Sequence, residues 1–225
     1  MTILQIETAT TSCSVALARD GQVLGLKEID QRNIHAEVIT LYIDGLLKDA
    51  AISYDALDAV AVSCGPGSYT GLRIGVSTAK GLCFALDKPL ISVDTLAAMG
   101  KGIADAGGDM LLCPMIDARR MEVFTAIFNQ QGDMVKPTAA EIIDGDSFAD
   151  LLADNKILFF GDGAEKCRVA LSDNPNANFR SGFANSAAHL TAIAAEKYLA
   201  NDFVDVAYFE PYYLKDFIAG KKANA

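Results

Sequence analysis

The sequence predicts an α/β protein made of two copies of one unit, and three observations predict it. An apolar strand ending in a carboxylate and a small residue occurs twice, as Leu4-Gln5-Ile6-Glu7-Thr8-Ala9 and as Cys113-Pro114-Met115-Ile116-Asp117-Ala118. Each copy continues as a meander with a glycine in its turn, then a helix, a strand and another helix. Apolar residues make up 51% of the 225, ample for a core in one domain or in two small ones.

The elements follow in order. Residues 3–8 and 14–18 read as strands, Asp20-Gly21 as a tight hairpin turn, and residues 22–29 as the returning strand. Residues 33–50 carry a helical pattern. The apolar run Leu57-Asp58-Ala59-Val60-Ala61-Val62-Ser63 is a buried strand, broken by Gly65-Pro66-Gly67. A helix over 68–86, a strand over 89–93 and a helix from 94 or 95 to about 106 complete the first copy. The break Gly107-Gly108-Asp109 separates an expected unit 1–108 from a second at 109–225. There, 111–116 and 122–128 pair as a hairpin, and Gln131-Gly132-Asp133 turns the chain into a strand near 134–135. A short helix over 146–153 precedes a strand over 157–160, which ends in Gly161-Asp162-Gly163, and a helix covers 186–199. This is the layout of the actin, Hsp70 and sugar-kinase (ASKHA) fold with the second subdomain reduced, because the chain is short for that fold. Two unrelated α/β halves are the competing reading.

Composition excludes several classes. With 29 acidic against 19 basic residues the net charge is −10, so the chain is a poor candidate to grip nucleic acid alone, a task that draws on Lys and Arg. No apolar run reaches the eighteen or so residues of a membrane span. The N-terminus runs straight into a strand rather than a basic, then apolar, leader. Five scattered cysteines with no Cys-x-x-Cys pair argue against a disulfide framework or zinc ribbon, and for the reducing cytoplasm.

The block Cys64-Gly65-Pro66-Gly67-Ser68-Tyr69-Thr70-Gly71-Leu72-Arg73-Ile74-Gly75 joins a buried strand to a helix that Ser68 or Thr70 can cap. Free N–H groups there could bind a phosphate, yet the lysine of a P-loop is absent. Glycines that merely permit a sharp turn and close helix packing explain the block equally well.

As a sequence, the same block resembles the signature of the TsaB (YeaZ) family, the smaller, inactive paralogue of the threonylcarbamoyl-transferase TsaD. Other segments are similar to that family in the right order: residues 3–10 with Cys13-Ser14-Val15-Ala16-Leu17, where Glu7 stands in place of the usual Asp; Arg32-Asn33-Ile34-His35-Ala36-Glu37; residues 116–124; and Glu210-Pro211-Tyr212-Tyr213-Leu214-Lys215. Only about 130–205 match weakly. The resemblance implies a scaffold needed for threonylcarbamoylation of adenosine (t6A biosynthesis) in tRNAs reading codons that begin with A. It also implies TsaD as heterodimer partner, the ATPase subunit TsaE in a ternary complex, a homodimer when alone, and tRNA reached only through the complex.

Catalytic chemistry is hard to place. TsaD holds a metal through His-x-x-x-His after a strand; the matching stretch Ser92-Val93-Asp94-Thr95-Leu96-Ala97-Ala98-Met99 puts Thr95 and Met99 at those positions, and neither substitutes for imidazole. His35 and His189 are too far apart in sequence to form a helical pair. The expectation is therefore no metal, no cofactor and no catalytic residue. Glu7, Thr8, Gly65, Gly67, Ser68 and Asp117 stand where kinases of this fold face a nucleotide and count as a vestigial site. A stand-alone actin-fold ATPase or kinase, or an M22-type metallopeptidase, is the alternative.

Two helices carry surplus apolar surface. At 100° per residue the apolar residues of 33–50 cover roughly 240°, against the ~100° needed to pack on one sheet face. On 70–86, Gly71, Gly75 and Ala79 form a strip that a partner helix could approach closely. The expected partner-binding set is Ile34, His35, Val38, Leu41 and Tyr42 on the first helix, and Gly71, Leu72, Arg73, Gly75, Val76, Ala79, Lys80 and Cys83 on the second. Mutual burial of the two helices against the sheet is the alternative.

Overall fold

The computed structural model describes residues 1–103 and 108–215, and among these the chain forms two five-stranded mixed sheets. The first is ordered β3-β2-β1-β4-β5, from β1 (Thr2–Glu7), β2 (Ser12–Arg19), β3 (Gln22–Asp30), β4 (Ala59–Gly65) and β5 (Leu90–Asp94). The second is ordered β8-β7-β6-β9-β10, from β6 (Leu111–Asp117), β7 (Glu122–Phe128), β8 (Met134–Ile142), β9 (Ile157–Phe160) and β10 (Ala177–Arg180). Replacing each strand of the first sheet by the one five places later reproduces the second. Polarity agrees too: the meander strands pair antiparallel, while β4 on β1 and β9 on β6 pair parallel. Two unrelated halves would have no reason to share both order and polarity; the fold is the duplicated ASKHA architecture.

Helices follow the same plan. Helix α1 (His35–Asp49) follows β3, α2 (Tyr69–Leu86) follows β4 and α3 (Thr95–Lys101) follows β5; α4 (Ala149–Asp154), α5 (Ala164–Leu171) and α6 (Thr191–Leu199) hold the matching places. The reduction of the second unit lies in these helices: α4 and α5 have 6 and 8 residues, against 15 and 18 for α1 and α2. Ser68 is the cap of α2, its Oγ accepting from the Gly71 N–H at 3.3 Å. Asp87, in the left-handed region at φ 51°, ends the helix.

Side-chain alternation divides the first sheet into two interfaces. Leu4, Ile6, Cys13, Val15, Val60 and Val62 pack with Ile39, Ile43, Leu47, Val76, Ala79 and Cys83 under α1 and α2. On the opposite face, Ile3, Ala59, Ala61, Ile91 and Val93 pack with Leu190 and Ala194. Both faces are thus covered, which is why β1 and β4 read as nearly continuous apolar runs.

At that second interface, packing crosses the expected division at 108/109. Helix α6 and the 3-10 turn Ala187–Leu190 leave the second unit and cover the first sheet, while Leu96, Met99 and Ile103 around α3 pack on Leu112, Ile116, Ala126, Phe128 and Phe160 of the second. Each unit lends a helix to the other, because a sheet with two apolar faces needs cover its own unit does not supply. Gly107 and the end of the helix expected to reach about 106 lie outside the described residues. Helix α5 and strand β10 were not expected from the pattern; both are short, and β10 is only half buried.

Candidate functional site

The glycine loop closes on its own chain. Ser68 N–H donates to Ala9 O at 2.7 Å, Thr8 Oγ1 donates to Gly71 O at 2.8 Å, and Gly65 N–H donates to Thr95 Oγ1 at 3.1 Å. A Cβ at Gly67 would collide with Ala9, at Gly71 with the Thr8 carbonyl, at Gly75 with the Thr8 hydroxyl, and at Gly65 with the Tyr212 carbonyl. Gly65 also sits at φ 121°, a conformation L side chains rarely adopt. These glycines bring α2 against the end of β1 and the 8–9 turn. Carbonyl oxygens of Thr8 and Ala9, not a ligand's, lie against the start of the helix.

Several residues of the expected nucleotide-facing set lie inside this packing. Glu7 is 1% exposed and Thr8 and Gly65 are also buried. Glu7 Oε1 accepts from Ala9 N–H at 2.6 Å and from Ser63 Oγ at 3.0 Å. Burial pushes the Glu7 carboxyl up to about 7, and hydrogen bonds from Ala9, Ser63 and Asn185 only partly oppose it. Ser68 is spent on capping. Ser68 and Asp117 both stay exposed, and the Asp117 carboxylate pairs with Lys166 while accepting from the Arg119 N–H at 2.8 Å. Partial burial disfavours its charge, but Lys166 outweighs that and holds the carboxyl below its usual range. Asp117 and Glu7 have separate hydrogen-bond partners.

Thr95 and Met99, at the positions where imidazoles would hold a metal, are both core residues. The hydroxyl of Thr95 fixes the glycine loop, and the thioether of Met99 packs with Leu96 and Phe160. His35 and His189 lie apart: His35 Nε2 meets Thr10 O and Ser12 O at 3.0 and 3.2 Å, whereas His189 stacks on Phe183. Among the described residues no three His, Cys, Asp or Glu side chains gather as a metal site. Nor is any helix there long and apolar enough to cross a membrane.

The outer helix surface also differs from expectation. Gly71, Leu72, Gly75, Val76, Ala79 and Cys83 face the sheet and are buried. His35 turns inward to the β1–β2 turn. Arg73 and Lys80 are occupied by the C-terminal segment: Arg73 Nε donates to Tyr213 Oη at 3.2 Å, and Lys80 Nζ to Phe209 O at 2.8 Å. The solvent-facing side of α2 instead carries Ser77, Gly81, Phe84 and Ala85, with Ile74 half-buried at its edge. Phe84 is 86% exposed, and a Cβ at Gly81 would meet nothing within 4 Å. On α1, Leu41 is 68% exposed and Ile34, Val38 and Tyr42 are half-buried. The periodicity located the amphipathic helices, but an apolar arc wider than one face has no mark telling which edge the sheet takes. Phe84 and Gly81 were legible only as the residues opposite the buried face.

Fold and site together define a duplicated ASKHA-type protein whose glycine loop packs against the backbone of Thr8 and Ala9 and whose helices α1 and α2 expose apolar side chains. The profile described as "TsaD: tRNA N6-adenosine threonylcarbamoyltransferase" matches residues 28–222. The chain belongs to that family, and within it to the TsaB (YeaZ) group. It is 36% identical over 124 residues to the "tRNA threonylcarbamoyladenosine biosynthesis protein TsaB" of Haemophilus influenzae, covering 55% of this chain and 52% of that one. To the Escherichia coli protein of the same name it is 38% identical over 130 residues, covering 58% and 56%. The chain thus spans about half the length of the curated relatives it matches. The solved structure "YeaZ from Pseudomonas aeruginosa" superposes with a TM-score of 0.81 at 26% identity, over 95% of this chain and 99% of that one.

Proposed function

We propose that this chain serves threonylcarbamoylation of tRNA adenosine as a cytoplasmic scaffold subunit with no chemistry of its own. It binds and stabilises TsaD, assembles with TsaE, reaches tRNA only through the complex, and forms a homodimer when alone. The observation that carries this reading is the outer surface of α1 and α2. The two helices touch and lie on one face of the first sheet, and between them they leave Leu41 and Phe84 mostly in water. Large side chains exposed on adjacent helices are the kind of anchor that protein interfaces bury at their centre. Gly81, open to solvent on α2, would let a partner helix approach closely.

The closed glycine loop, and the use of Thr95 and Met99 in the core, support the absence of independent catalysis. The names of its relatives support the pathway. A direct test compares the wild type with Leu41→Glu, Phe84→Glu and the double variant, by retrieval of TsaD and by light scattering of the chain alone. Loss of both associations with unchanged circular dichroism supports the reading. Retained association in the double variant refutes the surface; ATP hydrolysis or tRNA modification by the isolated chain refutes the scaffold.

A further inference from the structure

We propose that residues 204–215 act as a strap that couples the second unit to the glycine loop and to helix α2. Four kinds of contact fasten it. Val204 N–H donates to Leu90 O at 3.0 Å, laying the start of the strap on the edge of β5. Lys80 Nζ, from α2, donates to the carbonyls of Ala207 at 3.1 Å and Phe209 at 2.8 Å. Tyr212 N–H donates to Cys64 O at 2.7 Å, and the Tyr212 carbonyl lies where a side chain at Gly65 would have to be. Tyr213 stacks on Tyr69 with ring centres 4.9 Å apart, and its hydroxyl accepts from Arg73, whose guanidinium covers the Tyr69 ring at 4.3 Å. Beyond these, Lys215 pairs with the Glu122 carboxylate on β7 of the second unit.

The strap therefore touches both units, and its middle lies against the loop that starts α2. Its anchors are unequal. Lys80 gives charge-assisted hydrogen bonds to two carbonyls that the segment's turn leaves free, the stronger sort of contact. Lys215 and Glu122 are partly exposed, the class of ion pair worth least and most readily screened by salt. Release should start at Lys215 and travel back through Tyr213 and Tyr212 to Cys64 and Gly65. In this way the position of β7 is felt at the first turn of α2, on a separate sheet.

Amide hydrogen exchange on the free chain tests the coupling, read at Tyr212, Gly65 and Ser68 against β2 and β7 as internal references. Lys80→Met, which removes the strap's firm anchor, is expected to speed exchange at the three reporters by about tenfold or more while β2 and β7 stay protected. Glu122→Gln, altered only in the second unit, is expected to speed the same three amides, as is raised salt on the unmutated chain. If Glu122→Gln and salt change exchange only around β7 and Lys215, the coupling is refuted. If Lys80→Met leaves Tyr212 and Gly65 as protected as in the wild type, the strap itself is refuted.

Discussion

Replacing Glu7 by Gln should stabilise the protein above neutral pH and flatten its pH dependence. The carboxyl is buried and its folded-state value is about 7, against an ordinary 4.5. A carboxyl raised by folding contributes its full stability below the unfolded value and loses it as pH rises through the folded one. Each unit is worth about 1.4 kcal/mol, so full ionisation of Glu7 costs the fold about 3 kcal/mol. Between pH 5 and pH 8 the share lost is about 2.5 kcal/mol, since a little is already gone at pH 5. Gln keeps an oxygen for the Ala9 N–H and the Ser63 hydroxyl but cannot ionise. Its NH2 would stand where the carboxylate accepts from the Asn185 amide, and that donor-to-donor contact offsets part of the gain. Urea unfolding of both proteins at pH 5, 6, 7 and 8 reads the difference. Wild type should fall behind the variant steadily from pH 5 to pH 8 by about 2 kcal/mol or more. Parallel profiles would refute the claim that Glu7 is held in a site that penalises its charge.

Other outcomes follow from the same packing. Gly75→Leu should prevent stable folding, because its side chain would run into Thr8, whereas Gly81→Leu should fold normally and lose association; thermal melts with light scattering separate the two. Leu72→Ala removes a fully buried side chain and should cost about 2–5 kcal/mol by urea unfolding. Asp117→Asn breaks a partly exposed pair with Lys166 and should change stability by less than about 1 kcal/mol. If homodimer and TsaD complex use the same outer faces of α1 and α2, titrating TsaD into the homodimer should yield heterodimer and no larger species; a stable complex of TsaD with an intact homodimer refutes shared use.

Local pattern was enough for the duplication. Strand alternation, Asp20-Gly21 and the breaks at Gly65 and Gly161 are short-range signals, and they mark the same succession of elements in both halves. The glycine block was equally legible as a strand-to-helix turn, because Ser68 and its glycines act within a few residues of one another. Its two readings, anion cradle or close packing, differ only in what stands opposite, and that is Thr8 and Ala9, some sixty residues earlier in the chain. Burial of Glu7 likewise required Ser63 and Asn185 to arrive from β4 and from the chain's return to the first sheet.

Tertiary structure decided which face of each long helix is free. Sequence period places Gly71, Gly75 and Ala79 on one line and Ile74, Ser77, Gly81 and Ala85 on another. Both lines are small or apolar, so either could meet the sheet. The first does, because Thr8 at the end of β1 leaves room for a backbone and for nothing larger. The exchange of α3 and α6 between units was beyond local reading for the same reason: an apolar helix face records that it must be covered, but not by which sheet.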